Sequence, residues 1–510
     1  MFVERLADPP EGEAYRKLQR ARRALMGVDE AGFPCSPGMF DAGVVSFAHG
    51  EGVRRPWHGA VRAAQCALLD ADGSPIENYM FLRPFPDLET AIRDEFIRNG
   101  VPENLAGEVV LDAGSTRLIV AALALATRDG AEIVTAPGFY HPLAGWCAHL
   151  RRALHVVPGE RSGGYKLTAG ALARFLAGRR SGVPPVLLLF NPTMTGAVYS
   201  RSELEAIAGV LLAHDMIAVE DALFAGSEHD PATCRARLAA TPAGSRCLTV
   251  AGASKLHCLA NLRIGWGCGP AWMIAALKDF ITSSSASLPH VGKAAALGAL
   301  QAPARFIRRN VTECRDRIAL VEELVGKLDA RLRRATGSPS QVVEVGHPVA
   351  AGHSLLIEFP GLEGHAGPDG APLVDGADLT SFFLREAGVA FAPALSHGFD
   401  GLKLRANVAS LGTHHTYPAS RSFEPEPPAG WGDAEERAFD EGFARGRDEI
   451  SAAFAERIEP ALLRLLAPAR PARAARPVPR RGRSPGGGAA PAGADTCPVA
   501  GCSGWSRPPP

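Results

Sequence analysis

The sequence predicts an α/β protein built on a mostly parallel sheet flanked by helices, with a smaller α+β domain. Three observations carry this. Between about residues 108 and 268, short apolar runs (EVVL, EIVTAP, ALHVVP, PVLLLF, MIAVE, CLTVA, RIGWG) alternate with helical stretches such as STRLIVAALALATR and SELEAIAGVLLAHD. The short runs lack polar alternation, so both faces of each strand are buried, as in a parallel sheet covered by helices. Finally, glycine and polar residues gather just past the runs, where open α/β sheets bind their ligands.

At 510 residues the chain exceeds one simple core. Residues 1–100 read as a mixed N-terminal segment, 101–300 as the large domain and 301–412 as the smaller domain, which carries LLIEF, VAFAP and KLRANVAS. Residues 413–466 read as a Pro-rich connector and an extra amphipathic helix. Residues 467–510 are a Pro/Arg/Gly-rich tail without the apolar content to offset ordering entropy, and so are expected to be disordered.

Lys and Arg total 54, as do Asp and Glu, and this neutrality argues against nucleic acid or an anionic membrane as the partner. The start has no apolar signal region, and LIVAALALA is about half of the roughly 20 residues that span a bilayer. Ten scattered cysteines read as reduced thiols of a cytoplasmic protein. His141, His414-His415 and the CPVAGC pair lack further ligands at telling spacing, so no metal site is expected.

The strand-end residues form a set. Gly114-Ser115-Thr116 opens a helix with free N–H groups and two hydroxyls, suited to a phosphate, although Ser and Thr are also ordinary N-caps. Phe139 and Tyr140 follow EIVTAPG, Asn191 to Gly196 follow PVLLLF, and Asp221 ends MIAVE. Ser254-Lys255 follows CLTVAGA, and Arg263 comes eight positions after the lysine.

In order and spacing these residues resemble the fold-type I pyridoxal-phosphate enzymes, specifically the class I/II aminotransferases, from about Val44 to Ser410. The resemblance implies pyridoxal 5'-phosphate as cofactor and Lys255 as the Schiff-base lysine and catalytic base. Asp221 would keep the pyridine nitrogen protonated. Arg263, Ser115, Thr116 and Ser254 would bind the phosphate, with Arg263 also helping to keep the free lysine neutral. Phe139, or failing it Tyr140, would stack on the ring. Asn191 would contact the ring oxygen and the substrate, Arg405 in LRANVA the substrate α-carboxylate, and Gly50 a substrate loop. Tyr79 would cross to a second subunit and help bind its cofactor, so a homodimer with shared sites is implied, residues 1–100 contributing to the small domain and to the dimer interface.

Three departures stand out. Phe224 fills a tyrosine position and cannot hydrogen-bond the ring oxygen. The turn reads NPTMTG, so counting points to Thr193 where residue type favours Asn191. Gly252 stands where a phosphate-binding hydroxyl is common. Amino transfer between an α-amino acid and a 2-oxo acid leads these readings. Elimination, cyclisation or oxidation of an amino acid, and a binding or regulatory protein without turnover, stay open at this point.

Overall fold

In the computed structural model the alternation of the sequence becomes one large mixed sheet and a smaller antiparallel one. The structure describes residues 13–29, 31–41, 43–50, 56–69, 85–233, 235–284, 288–367, 370–412 and 433–467. Tyr79, His414-His415 in the connector and the tail beyond Ala467 lie outside the described residues.

A short strand, β1 (Val45–Ser46), precedes the large sheet. That sheet comprises β2 (Val109–Asp112), β3 (Ile133–Thr135), β4 (Leu154–Val156), β5 (Val186–Phe190), β6 (Ala218–Asp221), β7 (Cys247–Gly252) and β8 (Gly265–Cys268). Its order is β2-β8-β7-β6-β5-β3-β4, and β8 alone runs against its neighbours. All five residues of β5 and all four of β6 are buried, as their unalternating sequence requires. The helix between them, Arg201–Ala213, is started by a capping box. Ser200 Oγ accepts the Glu203 N–H at 3.2 Å, and Glu203 returns the contact to Ser200 N at 2.7 Å. Helix Ser115–Ala126 and the helix Ala271–Ser284 cover one sheet face with Leu118, Ile119, Ile274 and Leu277.

The smaller sheet holds β9 (Glu344–Val345), β10 (Ser354–Glu358), β12 (Ala392–Pro393) and β13 (Lys403–Asn407), ordered β12-β13-β10-β9. Strand β11 (Val389–Ala390) pairs in parallel with β1, so residues 45–47 belong to the small-domain core. The N-terminal segment therefore divides: Val45 and Phe47 pack there, while Ala60, Leu88, Ile92 and Phe96 join the large domain.

One part of the organisation differs from the sequence reading. The helix Asp433–Ala452, continuing through Glu459–Leu466, is built into the small-domain core. It buries Ile450, Phe454, Ile458 and Leu462 against Phe47, Leu379 and Phe391. The fully buried Arg317 explains the seating. Its Nη1 donates to the Val408 and Leu411 carbonyls at 2.9 and 2.8 Å, and its Nε to Glu313 Oε1 at 2.7 Å. Gly446 lies so close that a Cβ there would stand 2.2 Å from the guanidinium. No helix among the described residues is long and apolar enough to cross a membrane.

Candidate active site

The carboxyl ends of the parallel strands and the start of β8 converge on a cleft of about 320 Å³. Ser115, Thr116, Tyr140, Asp221, Phe224, Ser254, Lys255 and Arg263 all line it. Strand register produces the convergence: Phe190 pairs with Asp221, Asp221 with Val250, and Gly252 with Gly265. Strands β5 and β6 end level and β7 runs two residues further along the same sheet edge, so the residues after them share one rim.

One end of the cleft is shaped for an anion. Gly114 takes φ 91° at the start of the helix Ser115–Ala126. A Cβ there would stand 2.6 Å from Arg263 Nη2, so the guanidinium lies against the bare glycine. Arg263 adopts a left-handed φ of 53°, and its Nη1 donates to the Ala260 carbonyl at 2.9 Å. Helix N–H groups, the hydroxyls of Ser115, Thr116 and Ser254, and one fixed cation thus face the same corner. Asn261, which sequence reasoning missed, also lines this cleft.

The glycine at 252 has a packing reason. A Cβ there would meet the Ile264 carbonyl oxygen at 2.9 Å and Gly265 Cα at 3.1 Å. The close pairing of β7 with β8 excludes a side chain. Gly252→Ser is therefore expected to destabilise the fold by about 1–3 kcal/mol, and to weaken retention of an anionic ligand. Thermal unfolding and a ligand-binding titration check this; a tighter-binding, equally stable variant would contradict it.

Deeper in the cleft, Lys255 is half-buried and its Nζ donates to the Gly50 carbonyl. Asp221 is buried, and its carboxyl is pushed up to about 6. Burial is the largest cause, opposed by the Leu223 N–H, which donates to Oδ1 at 3.0 Å, and by the Lys255 charge.

Two expected cofactor contacts are corrected. Phe139 is 3% exposed and turns away from the cleft. Its carbonyl accepts His397 Nδ1–H at 2.8 Å, and its ring packs on Gly398, where a Cβ would stand 2.5 Å from Cε1. The ring instead walls a separate cavity of about 620 Å³ with Tyr15, Arg152 and Leu395, away from the lysine. Of the two, Tyr140 is the one that lines the cleft. Asn191 is fully buried and its amide is committed elsewhere. Nδ2 donates to Glu220 Oε1 and to the Ala236 carbonyl, both at 3.0 Å, and Oδ1 accepts the Tyr199 N–H at 3.2 Å.

The reason is Glu220, which lies beside Asp221 on the opposite face of β6. It is wholly buried and held above the usual carboxylate range by desolvation, against the attraction of Arg237 at 3.9 Å. Asn191 and the Leu238 N–H, the latter at 2.9 Å, satisfy its oxygens. The signal available in the sequence was two successive acids ending a buried strand, which need partners on both faces. Thr193 is likewise engaged: its Oγ1 accepts the Ala197 N–H at 3.0 Å.

Arg405 does not line the cleft. It is 3% exposed on β13, and its Nη2 donates to the Ala48 and His49 carbonyls at 2.9 and 3.1 Å. Asn407 Nδ2 donates to the same His49 carbonyl. Residues 48–50 thus bridge Arg405 to Lys255, which brings Gly50 to the site.

Residues 43–354 match the family model for aminotransferase class I and II. Among similar proteins, the probable aspartate/prephenate aminotransferase of Rickettsia conorii is 24% identical over 326 residues, covering 63% of this chain and 77% of that protein. The aspartate/prephenate aminotransferase of Cereibacter sphaeroides is 26% identical over 341 residues, covering 65% and 78%. Among solved structures, the aspartate aminotransferase from Rhizobium meliloti superposes with a TM-score of 0.63 at 20% identity, over 88% of this chain and 98% of that one.

Proposed function

The chain belongs to the aminotransferase class I and II family, and from that premise we propose that it moves amino groups between an α-amino acid and a 2-oxo acid, using pyridoxal 5'-phosphate covalently held by Lys255. One observation carries the site assignment: an amine, a buried carboxylate and an anion corner built on Arg263 and Gly114 face one cleft.

The donor set fits the cofactor. A phosphate suits the corner made by Ser115, Thr116, Ser254 and Arg263. A carboxyl that burial holds partly protonated gains from a cationic N–H donor, which a pyridinium provides. Tyr140 and Phe224 give the ring aromatic walls. When bound, pyridoxal phosphate supplies a ring that withdraws the electron pair left at the substrate Cα. The protein does the rest. Lys255 Nζ takes and returns the Cα proton. Asp221 would hold the proton on the ring nitrogen. The anion corner anchors the far end, and Phe224, Pro192 and Tyr140 keep water off the reacting face. Arg405 would bind the substrate α-carboxylate with its planar fork of donors.

The same reading implies a cytoplasmic homodimer with shared sites. Phe33 and Phe40, 66% and 65% exposed on the segment leading to Gly50, are suited to a subunit contact. Sedimentation at micromolar concentration tests it. Transfer of ¹⁵N from a labelled donor to a 2-oxo acid, followed by mass spectrometry, tests the reaction. The relatives' names make aspartate and prephenate the first pair to try. Release of free ammonium without transfer would overturn the assignment.

Arg405→Lys is expected to raise KM for the amino acid by about ten- to a hundredfold, since an ammonium cannot form the bidentate fork. Bound-cofactor absorption should be unchanged. A change confined to kcat would remove Arg405 from substrate binding.

A further inference from the structure

Tyr140 is reached from β3 through residues 136–139, which belong to no helix or strand. Such a loop needs partners outside itself to hold one shape. The Gly138 N–H donates to the His397 carbonyl, and the Gly138 carbonyl accepts the Met194 N–H, both at 2.8 Å. The next carbonyl, that of Phe139, accepts Nδ1–H of His397, also at 2.8 Å. His397 lies in the short turn Ala394–His397 that follows β12. It therefore grips the loop twice, once through its main chain and once through its ring. The second grip fixes the plane of the peptide between Phe139 and Tyr140. That plane is rigid, so it sets the direction in which the Tyr140 side chain leaves the backbone. Gly398, at φ 86°, receives the Phe139 ring, and Tyr140 lines the cleft.

The imidazole suits this task. His397 is 1% exposed, and its pKa lies well below the ordinary value. Burial is the largest cause, and the neighbouring Arg405 and His141 act in the same direction. A neutral ring carries one N–H, and a carbonyl can only accept, so the proton sits on Nδ1. We propose that His397 is a positioning residue for Tyr140, its Nδ1–H on the Phe139 carbonyl holding the tyrosine ring against the face of the cofactor. The proposal rests on the reading of the cleft as the pyridoxal-phosphate site. It also ties that wall of the cleft to the small domain. His397 follows β12, whose Ala392 pairs with Arg405 on β13. The sheet that carries the substrate-binding arginine thus carries the residue that sets Tyr140.

A double-mutant cycle tests this, read by the dissociation constant of pyridoxal phosphate and the visible circular dichroism of the bound cofactor. His397→Leu should weaken binding by about tenfold and alter the dichroism when Tyr140 is present. In a Tyr140→Ala background the same substitution should change the constant by less than about twofold. No loss with Tyr140 present, or equal losses in both backgrounds, overturns the proposal. His397→Asn places an amide N–H where Nδ1–H stands, and should keep wild-type dichroism and affinity within about twofold. A loss with asparagine as large as with leucine overturns it too. Nitrogen-15 NMR of the cofactor-free wild-type protein tests the donor without any substitution, even if His397→Leu does not fold. At pH 7 the His397 ring should be neutral with its proton on Nδ1; a proton on Nε2 alone overturns the proposal. Failure of wild-type protein to bind pyridoxal phosphate would overturn the reading of the cleft and the proposal with it, whereas the other adverse results overturn the proposal alone.

Discussion

Lys255→Ala is expected to lower amino transfer by about 10⁴-fold or more, because it removes covalent capture and the proton carrier together. Borohydride reduction of cofactor-loaded wild type, followed by peptide mass spectrometry, should place the adduct on Lys255; the variant should give none. The effect is separable from folding. Lys255 sits half-buried on a turn held by backbone contacts, Cys258 N–H to the Lys255 carbonyl at 3.2 Å among them. The interactions it gives up include the Gly50 carbonyl and the attraction to buried Asp221. Thermal unfolding of the cofactor-free variant checks that it remains folded. Lys255→Arg adds a control, since it keeps a cation but supplies no usable nucleophile at neutral pH. Turnover within tenfold of wild type, or an adduct on another lysine, would remove Lys255 from the reaction.

Lysine, arginine and aspartate were readable because each is tied to a strand end. Runs such as PVLLLF and MIAVE fix where a buried strand stops, and neighbouring strand ends put the next residues on one rim. The choice between Phe139 and Tyr140 was not readable in the same way. They follow Gly138, at φ 88°, in a loop with no period to assign faces. What turns Phe139 inward is His397, more than 250 residues away in the chain. Asn191 failed for a related reason. Its residue type suits a ring oxygen, but Glu220 was left without a partner in that reading, and a buried carboxylate takes the nearest strong donor.

The C-terminal helix shows the same limit at the scale of a domain. Its amphipathic pattern predicts a helix with one apolar face but does not say what covers that face. The partner is a core assembled from Phe47, Leu379 and Phe391, drawn from widely separated parts of the chain. The seating depends on Arg317, whose guanidinium is buried among main-chain carbonyls and rests on Gly446. An arginine in a charged helix gives no sign that it will be buried. Gly252 is the converse case. Its missing hydroxyl reads as a lost ligand contact in the sequence, and in three dimensions the missing side chain is the condition for β8 to pair closely with β7.

Asp221→Asn is expected to separate stability from function in opposite directions. In the cofactor-free protein the Asp221 carboxyl sits at about 6, above its ordinary 3.8. Below the ordinary value both folded and unfolded chains hold the proton. Between the two values the unfolded chain releases it while the folded chain keeps it, so stability falls as pH rises through that window. Above about pH 6 the penalty is complete, about 3 kcal/mol for a shift of roughly two units. Asparagine has no charge to desolvate, so the cofactor-free variant should gain on wild type as the pH rises from 4 to 7.5. Catalysis should move the other way. Without the carboxylate nothing holds the pyridine nitrogen protonated, and turnover should fall by about 10²–10³-fold, the scale of losing one preorganised electrostatic contact. Added pyridoxal phosphate should stabilise wild type more than the variant at pH 7.5, because only wild type gains an ion pair for its buried charge. Chemical denaturation at several pH values, with and without cofactor, reads all three effects. A variant that is no more stable than wild type at pH 7.5 yet fully active would show that Asp221 neither carries a burial penalty nor serves the cofactor.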